Sequence, residues 1–286
     1  MTVEQYEDLI PAPTFSEVSY GPHERHVLDF WKADSDNSTP LALVIHGGGW
    51  NAGSKERLSR FVNPQTLLSS GISIASINYR LIPQTLGISP PVKAPMHDSA
   101  RALQFIRSKA KEWNINTDRI GAAGGSAGAC TSLWLAFHED LADPHSKDLV
   151  LRESTKVYCA AVKGAQTSLD PQQMKKWTPN SQYGAHAFGK ADFDEFLKSR
   201  DHILPWIHEY SPWHQAKKGA PSIYLYYDNP PNMGHEENDP THSANFGVGL
   251  LERCRSLSID CELAYPGAMK MTHMNITEFL VATLAV

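Results

Sequence analysis

Strand-like and helix-like segments alternate along this chain. They predict an α/β fold with a mostly parallel central sheet and helices on both faces. One domain would span residues 1–286, with a small lid insertion over about 164–221. Three observations carry that reading. Leu41-Ala42-Leu43-Val44-Ile45 is an unbroken apolar run, as a strand buried on both faces requires. Ala100, Leu103, Ile106 and Ala110 recur at three- and four-residue steps, the period of a helix face. Glycine-rich stretches follow two of the strand-like runs, at the strand ends where open α/β sheets bind ligands.

In chain order, Glu17–Tyr20 and Val27–Trp31 read as two strands joined by a turn at Gly21-Pro22, an antiparallel start to the sheet. Leu41–His46 and Ile72–Asn78 are the next strands, and Met96–Trp113 is a helix. Arg119–Ala123 is a short strand and Ala129–Phe137 a largely apolar helix. Val157–Val162 and Ser222–Tyr227 are strands, His242–Leu257 a helix, Cys261–Tyr265 the last strand and Asn275–Ala285 the closing helix. The segment Gly164–Pro221 interrupts this alternation. It mixes Trp177, Tyr183, Phe188, Phe193, Phe196, Trp206, Tyr210 and Trp213 with many polar residues. It reads as a lid over the strand ends, the alternative being a helical excursion that only covers sheet.

Composition narrows the class. The chain is 41% hydrophobic and 20% charged, with a net charge of −5, which gives no general attraction to nucleic acid or to an anionic membrane. The stretch Met1–Glu7 is acidic and polar, the first thirty residues hold no signal-type apolar run, and no segment is long enough to span a bilayer. A cytoplasmic location is the expectation. None of Cys130, Cys159, Cys254 and Cys261 forms a C-x-x-C pair or stands beside a histidine at metal-ligand spacing, so no metal and no cofactor is expected. Cys130 and Cys159 read as core residues. Cys254 and Cys261 could approach across a helix-to-strand connection, a disulfide there being a minor reading.

The chemistry is concentrated in two motifs. Gly124-Gly125-Ser126-Ala127-Gly128 reads G-x-S-x-G on a sharp turn between strand and helix. Such a turn exposes the hydroxyl, and the following helix directs its positive end at it. A Cβ at the flanking glycines would strike neighbouring backbone. His46-Gly47-Gly48-Gly49-Trp50 follows an apolar strand, and its bare N–H groups are free to hold the negative oxygen of a tetrahedral intermediate. The serine turn comes about 80 residues later, room for the strands and helices between them in one α/β domain.

With these motifs the chain resembles the α/β-hydrolases, and among them the hormone-sensitive-lipase-like carboxylesterases. Those carry H-G-G-G ahead of the nucleophile and G-x-S-A-G around it. Tyr79-Arg80-Leu81-Ile82-Pro83 matches the family's Y-R-L-x-P. The likeness runs from about Leu41 to the C-terminus and is weakest over Thr167–Gly219. It implies a serine carboxylesterase with Ser126 as nucleophile and the N–H groups of Gly48, Gly49 and Ala127 as oxyanion hole. His46 would support the glycine loop. The family's chain order of serine, acid, histidine places the base after the last strand, at His273 rather than at His235 or His242, which fall before or at the start of a helix. Asp239, in Asp239-Pro240-Thr241-His242, resembles the family's acid loop. Asp228 is the rival, with Glu236 and Glu237 as outsiders. Calcium held by Glu236, Glu237 and Asp239 lacks the spacing of a calcium loop.

The expected reaction is hydrolysis of short-acyl or acetyl esters through an acyl-enzyme. The alternatives are an arylformamidase, which also places Trp after an H-G-G loop, and a non-catalytic ligand-binding protein on the same fold. An oligopeptidase would need a propeller for which the chain has no room. The expected partner is a small-molecule ester. Acyl length, alcohol moiety and oligomeric state are open.

Overall fold

The apolar runs pair into one eight-stranded sheet. The strands are β1 (Phe15–Ser19), β2 (Val27–Trp31), β3 (Thr39–Ile45), β4 (Ser73–Ile77), β5 (Ile115–Gly125), β6 (Cys159–Lys163), β7 (Ser222–Tyr226) and β8 (Cys261–Ala264). Their spatial order is β1-β2-β4-β3-β5-β6-β7-β8, antiparallel at β1–β2 and β2–β4 and parallel elsewhere. The computed structural model describes residues 5–7 and 10–285, so part of the acidic stretch Met1–Glu7 lies outside the described residues.

The helices are α1 (Pro64–Ser69), α2 (Lys93–Ser108), α3 (Ala110–Trp113), α4 (Ala127–Phe137), then α5 (Pro171–Trp177), α6 (Phe193–Lys198), α7 (Leu204–Tyr210) and α8 (Pro212–Gln215) between β6 and β7, and finally α9 (Asn245–Ser256) and α10 (Ile276–Leu284). The expected helix over Met96–Trp113 is two helices, which break at Lys109 and end at Asn114 in the left-handed conformation. The expected helix over His242–Leu257 starts three residues later, at Asn245, whose N–H is taken by the hydroxyl of Ser243. That delay leaves His242 in the preceding loop.

Alternation along the strands divides the core between two faces. Leu41, Leu43 and Ile45 of β3 join the face covered by α2, α4 and α9, while Ala42 and Val44 join the face covered by α1 and α10. Ala160 and Val162 point one way from β6, and Cys159 and Ala161 the other. Each large aliphatic side chain buried in this way contributes roughly 1.5–3 kcal/mol. All four cysteines carry free thiols, including Cys254 and Cys261, which lie side by side at the α9–β8 connection without a disulfide. No helix of the described residues is long and apolar enough to cross a membrane.

The closest packing joins β3 to the serine turn. A Cβ on Gly128 would lie 2.0 Å from the carbonyl oxygen of Ile45, and one on Gly124 would lie 2.3 Å from the same atom. A buried ion group fixes the chain after β4. The carboxylate of Asp98 on α2 accepts two N–H bonds from the guanidinium of Arg80 (2.8 and 2.6 Å) and one from the Arg80 backbone (3.0 Å), with the His26 ring 3.1 Å away. Burial alone would raise the Asp98 carboxyl, but Arg80 and His26 outweigh it and hold it below the ordinary carboxylate range.

Gly128→Ala is expected to lose about 3 kcal/mol or more of stability, since the obstacle is backbone and cannot move aside as a side chain could. Asp98→Asn should cost about 3–5 kcal/mol in urea denaturation at neutral pH by stranding Arg80. Because the folded carboxyl is depressed, the wild-type advantage over Asp98→Asn is full above the unfolded carboxylate pKa and should shrink as pH falls through the folded one.

Candidate active site

Ser126 follows β5 and caps α4 with φ 53° and ψ −120°, a left-handed conformation that costs a non-glycine residue about 1–3 kcal/mol. Its own N–H is tied to the carbonyl of Lys163 (2.9 Å), and its carbonyl accepts from the N–H of Cys130 (2.9 Å). The turn is therefore fixed by β6 on one side and by its helix on the other.

The imidazole that reaches it is His242. The Nε2 atom lies 3.0 Å from Oγ of Ser126, and Nδ1 lies 2.8 Å from Oδ2 of Asp239. An ionised carboxylate only accepts, so Nδ1 carries the proton and Nε2 is left to accept from the serine hydroxyl. Acid and histidine share one turn: the His242 N–H is 3.3 Å from the Asp239 carbonyl oxygen and 3.2 Å from Oδ1. The turn is placed by its neighbours. Gln166 donates to the Thr241 carbonyl (2.7 Å), and Gly164, at φ 58°, lets the His242 ring pass where a Cβ would lie 3.3 Å from it. Asn245, fully buried, donates to carbonyls of Trp177 and Asn232 and thereby ties the loop to both α9 and α5. The pair is open to solvent: the side chains of His242 and Asp239 are 41% and 57% exposed.

His273 is not brought to Ser126, which corrects the expectation that it would be the base. Its loop folds back along β8 instead. Glu262 accepts from the backbone N–H groups of Thr272 (2.6 Å) and His273 (2.8 Å) and from His273 Nδ1 (2.7 Å). Tyr224 donates to the His273 carbonyl (3.0 Å), and the ring packs edge-on against Phe279 of α10 at 5.3 Å. The ring is thus fixed on the α10 face of the sheet. His242 follows both Ser126 and Asp239 in the chain and contacts both. Among the described residues Asp228 meets no histidine; it pairs with Lys163 at 2.9 Å on the surface. His235 and Glu236 are exposed on the same long loop, and Glu237 is tied through its backbone to Asn180. The acidic loop does not gather its carboxylates. Among the described residues, the trio that converges is Glu17, Asp29 and Glu56, and it closes on the buried ammonium of Lys55.

The glycine loop lies beside the serine. Gly48 (φ 111°), Gly49 (φ 62°) and Trp50 (φ 57°) are all left-handed. Trp50 bears that strain because its buried ring donates to Thr131 Oγ1 (3.0 Å) and its carbonyl accepts from the Ile82 N–H (2.8 Å). His46 is buried, stacks on Tyr79 at 4.2 Å and bonds the Gly47 carbonyl through Nδ1 (2.8 Å). Arg25 approaches its Nε2 at 3.3 Å, and Tyr79 donates to its carbonyl (2.8 Å). The Tyr79–Pro83 motif is thus a buttress for the loop. Among the described residues, the N–H groups of Gly48 and Gly49 have no hydrogen-bond acceptor, and Ala127, first in α4, has none one turn back.

A cavity of about 550 Å³ opens over Ser126, with Phe61, Arg57, Lys163, Tyr183 and His242 among its walls. Tyr183 comes from the segment between β6 and β7. Sequence reasoning missed His242, Asn245 and Gln166. Chain order allowed His242, and the Asp-Pro turn at 239–240 was the available signal that a helix had not yet begun.

The two glycine motifs lie in a stretch with known counterparts. The chain is 32% identical over 141 residues to a kynurenine formamidase of Debaryomyces hansenii, covering 46% of this chain and 43% of that protein. It is 29% identical over 107 residues to the carboxylesterase NlhH of Mycobacterium tuberculosis, covering 37% and 32% respectively. The chain spans less than half the length of these curated relatives. Among solved structures, a truncated carbohydrate esterase from gut microbiota superposes with TM-score 0.72 at 19% identity, covering 99% of both chains. A thermophilic esterase of Thermogutta terrifontis superposes at 0.65 with 19% identity, covering 91% of this chain and 84% of that one. The BD-FAE family model matches residues 28–244, which takes in the glycine loop, the serine turn and both members of the Asp239–His242 pair. The chain has the α/β-hydrolase fold and belongs to the BD-FAE family.

Proposed function

We propose that this protein is a serine hydrolase of small carboxylic esters, with Ser126 as nucleophile, His242 as general base and Asp239 as its orienting acid. The observation that carries this reading is the 3.0 Å contact between Nε2 of His242 and Oγ of Ser126, with Asp239 on the far side of the ring. As the serine oxygen attacks the ester carbonyl carbon, its proton passes to Nε2. Asp239 steadies the imidazolium through Nδ1–H. The carbonyl oxygen, now negative, takes hydrogen bonds from the N–H groups of Gly48, Gly49 and Ala127, each such donor lowering the barrier by roughly 3–4 kcal/mol. Collapse expels the alkoxide, which collects the proton from Nε2. Water then enters, gives a proton to the same nitrogen and attacks the acyl carbon; as the acid leaves, Oγ of Ser126 takes that proton back from Nε2.

The cavity of about 550 Å³ has room for a small-molecule ester. The segment 164–221 supplies one wall through Tyr183 and acts as a lid on the site. A second reading, an aryl formamide hydrolase with the same machinery, is favoured by the formamidase match over 141 residues. The formyl carbon would be attacked as the ester carbon is, with an arylamine as leaving group.

Ser126→Ala and His242→Ala are expected to fold and to lose roughly ten-thousand-fold or more in kcat on a short-chain nitrophenyl ester. His273→Ala should retain turnover of wild-type order with a lowered melting temperature, and Asp239→Asn should cost far more activity than Asp228→Asn. An inactive His273→Ala beside an active His242→Ala would return the base to His273. Turnover of a formylated arylamine well above that of the ester would favour the second reading.

A further inference from the structure

The insertion between β6 and β7 makes a polar contact with the glycine loop. Nε2 of His186 lies 2.9 Å from the carbonyl oxygen of Gly49 across 137 positions of sequence. We propose that His186 is a positioning residue for the oxyanion donors, so that the insertion helps to hold the catalytic backbone. This rests on the serine-hydrolase reading above.

The argument is one of peptide planes. Each amide N–H is fixed by the carbonyl on the other side of its own planar peptide. The peptide that carries the Gly48 N–H is held through the Gly47 carbonyl, bonded by His46 (2.8 Å). The peptide that carries the Gly49 N–H is held through the Gly48 carbonyl, which takes the N–H groups of Asn51 (3.0 Å) and Ala52 (3.1 Å). Both of these holds are local. The next peptide, from Gly49 to Trp50, is gripped by His186. Gly49 stands between the last two planes in a left-handed conformation that glycine can leave at no steric cost. Without the third grip, the Gly49–Trp50 side of that residue is held only through the strained Trp50, and the Gly48 carbonyl holds the other side.

His186 is suited to that task. A carbonyl accepts only, so Nε2 carries the proton and Nδ1 is the bare nitrogen. Burial pushes the imidazole below its ordinary range, which keeps it neutral beside the reacting centre. Its turn, Ala185–Phe188, is tied to the body by the N–H of Val92 on the Ala187 carbonyl (3.0 Å). The rings of Tyr183, edge-on at 5.2 Å, and Trp50, at 6.3 Å, flank it.

The test compares His186→Ala with His186→Gln, whose terminal amide N–H₂ falls near Nε2 and can make the same bond. On a short nitrophenyl ester His186→Ala should lose about 10- to 100-fold in kcat with KM within about twofold. Inhibition by a trifluoromethyl ketone, which forms the tetrahedral adduct, should weaken by a similar factor. His186→Gln should restore most of both. Wild-type kcat in His186→Ala, a loss confined to KM, or a Gln variant as impaired as Ala would each overturn the assignment. If His186→Ala does not fold, His186→Asn, whose amide is too short to reach, replaces it: Gln active and Asn impaired supports the role, and equal activities overturn it. Labelling of wild-type Ser126 by a fluorophosphonate separates the two levels. No labelling removes the serine reading itself, whereas normal labelling with an unaffected His186→Ala removes only the role of His186.

Discussion

The site depends on a place where three backbones touch. The carbonyl oxygen of Ile45, at the end of β3, lies where a side chain on either Gly124 or Gly128 would have to be. Only bare backbone fits, so β3, the end of β5 and the start of α4 meet without intervening side chains. That contact sets the glycine loop beside the serine turn. It also pins Ser126 in a conformation it would not choose. The strain is held by bonds to Lys163 and Cys130 and by packing on both sheet faces. A larger residue at either glycine would push the two halves of the site apart before it touched any reacting group.

Much of this was legible in the sequence, for identifiable reasons. Runs such as Leu41–Ile45 have one physical use in a chain of this composition, and the observed β3 starts two residues before the expected Leu41–His46 and ends one residue before it. Gly124 and Gly128 announced a close approach, and Ser126 could be placed from them. Tyr79 and Arg80 were visible as a motif but not as a mechanism, because their partners, the His46 carbonyl and Asp98, are set by tertiary packing. The histidine was misplaced for a similar reason. The sequence places His242 at the first residue of a helix. The Asp-Pro turn postpones α9 by three residues and leaves the ring free. His273 stands in the expected loop, but Glu262, only eleven positions away, offers three N–H groups a single carboxylate and keeps the loop at home.

The segment between β6 and β7 was the least readable part of the chain. Its helices are short, and its order comes from caps and from contacts with distant loops rather than from a strong periodic face. Asp170 shows the pattern: it caps α5 and also receives a two-pronged guanidinium from Arg200 (2.8 and 2.6 Å). Asn180 and the buried Asn245 then bind the segment to the long acidic loop. Polar bonds of this kind fix geometry without leaving a period in the sequence.

The acid and the imidazole belong to the same four residues, Asp239-Pro240-Thr241-His242, instead of meeting from separate loops. Their spacing is therefore a property of one short peptide and survives any rigid swing of the loop that bears it. The distance from this pair to the Ser126 hydroxyl is set separately, by Gln166 at the Thr241 carbonyl and Asn245 at the carbonyls of Trp177 and Asn232, so one peptide fixes the pair and its neighbours fix where the pair stands.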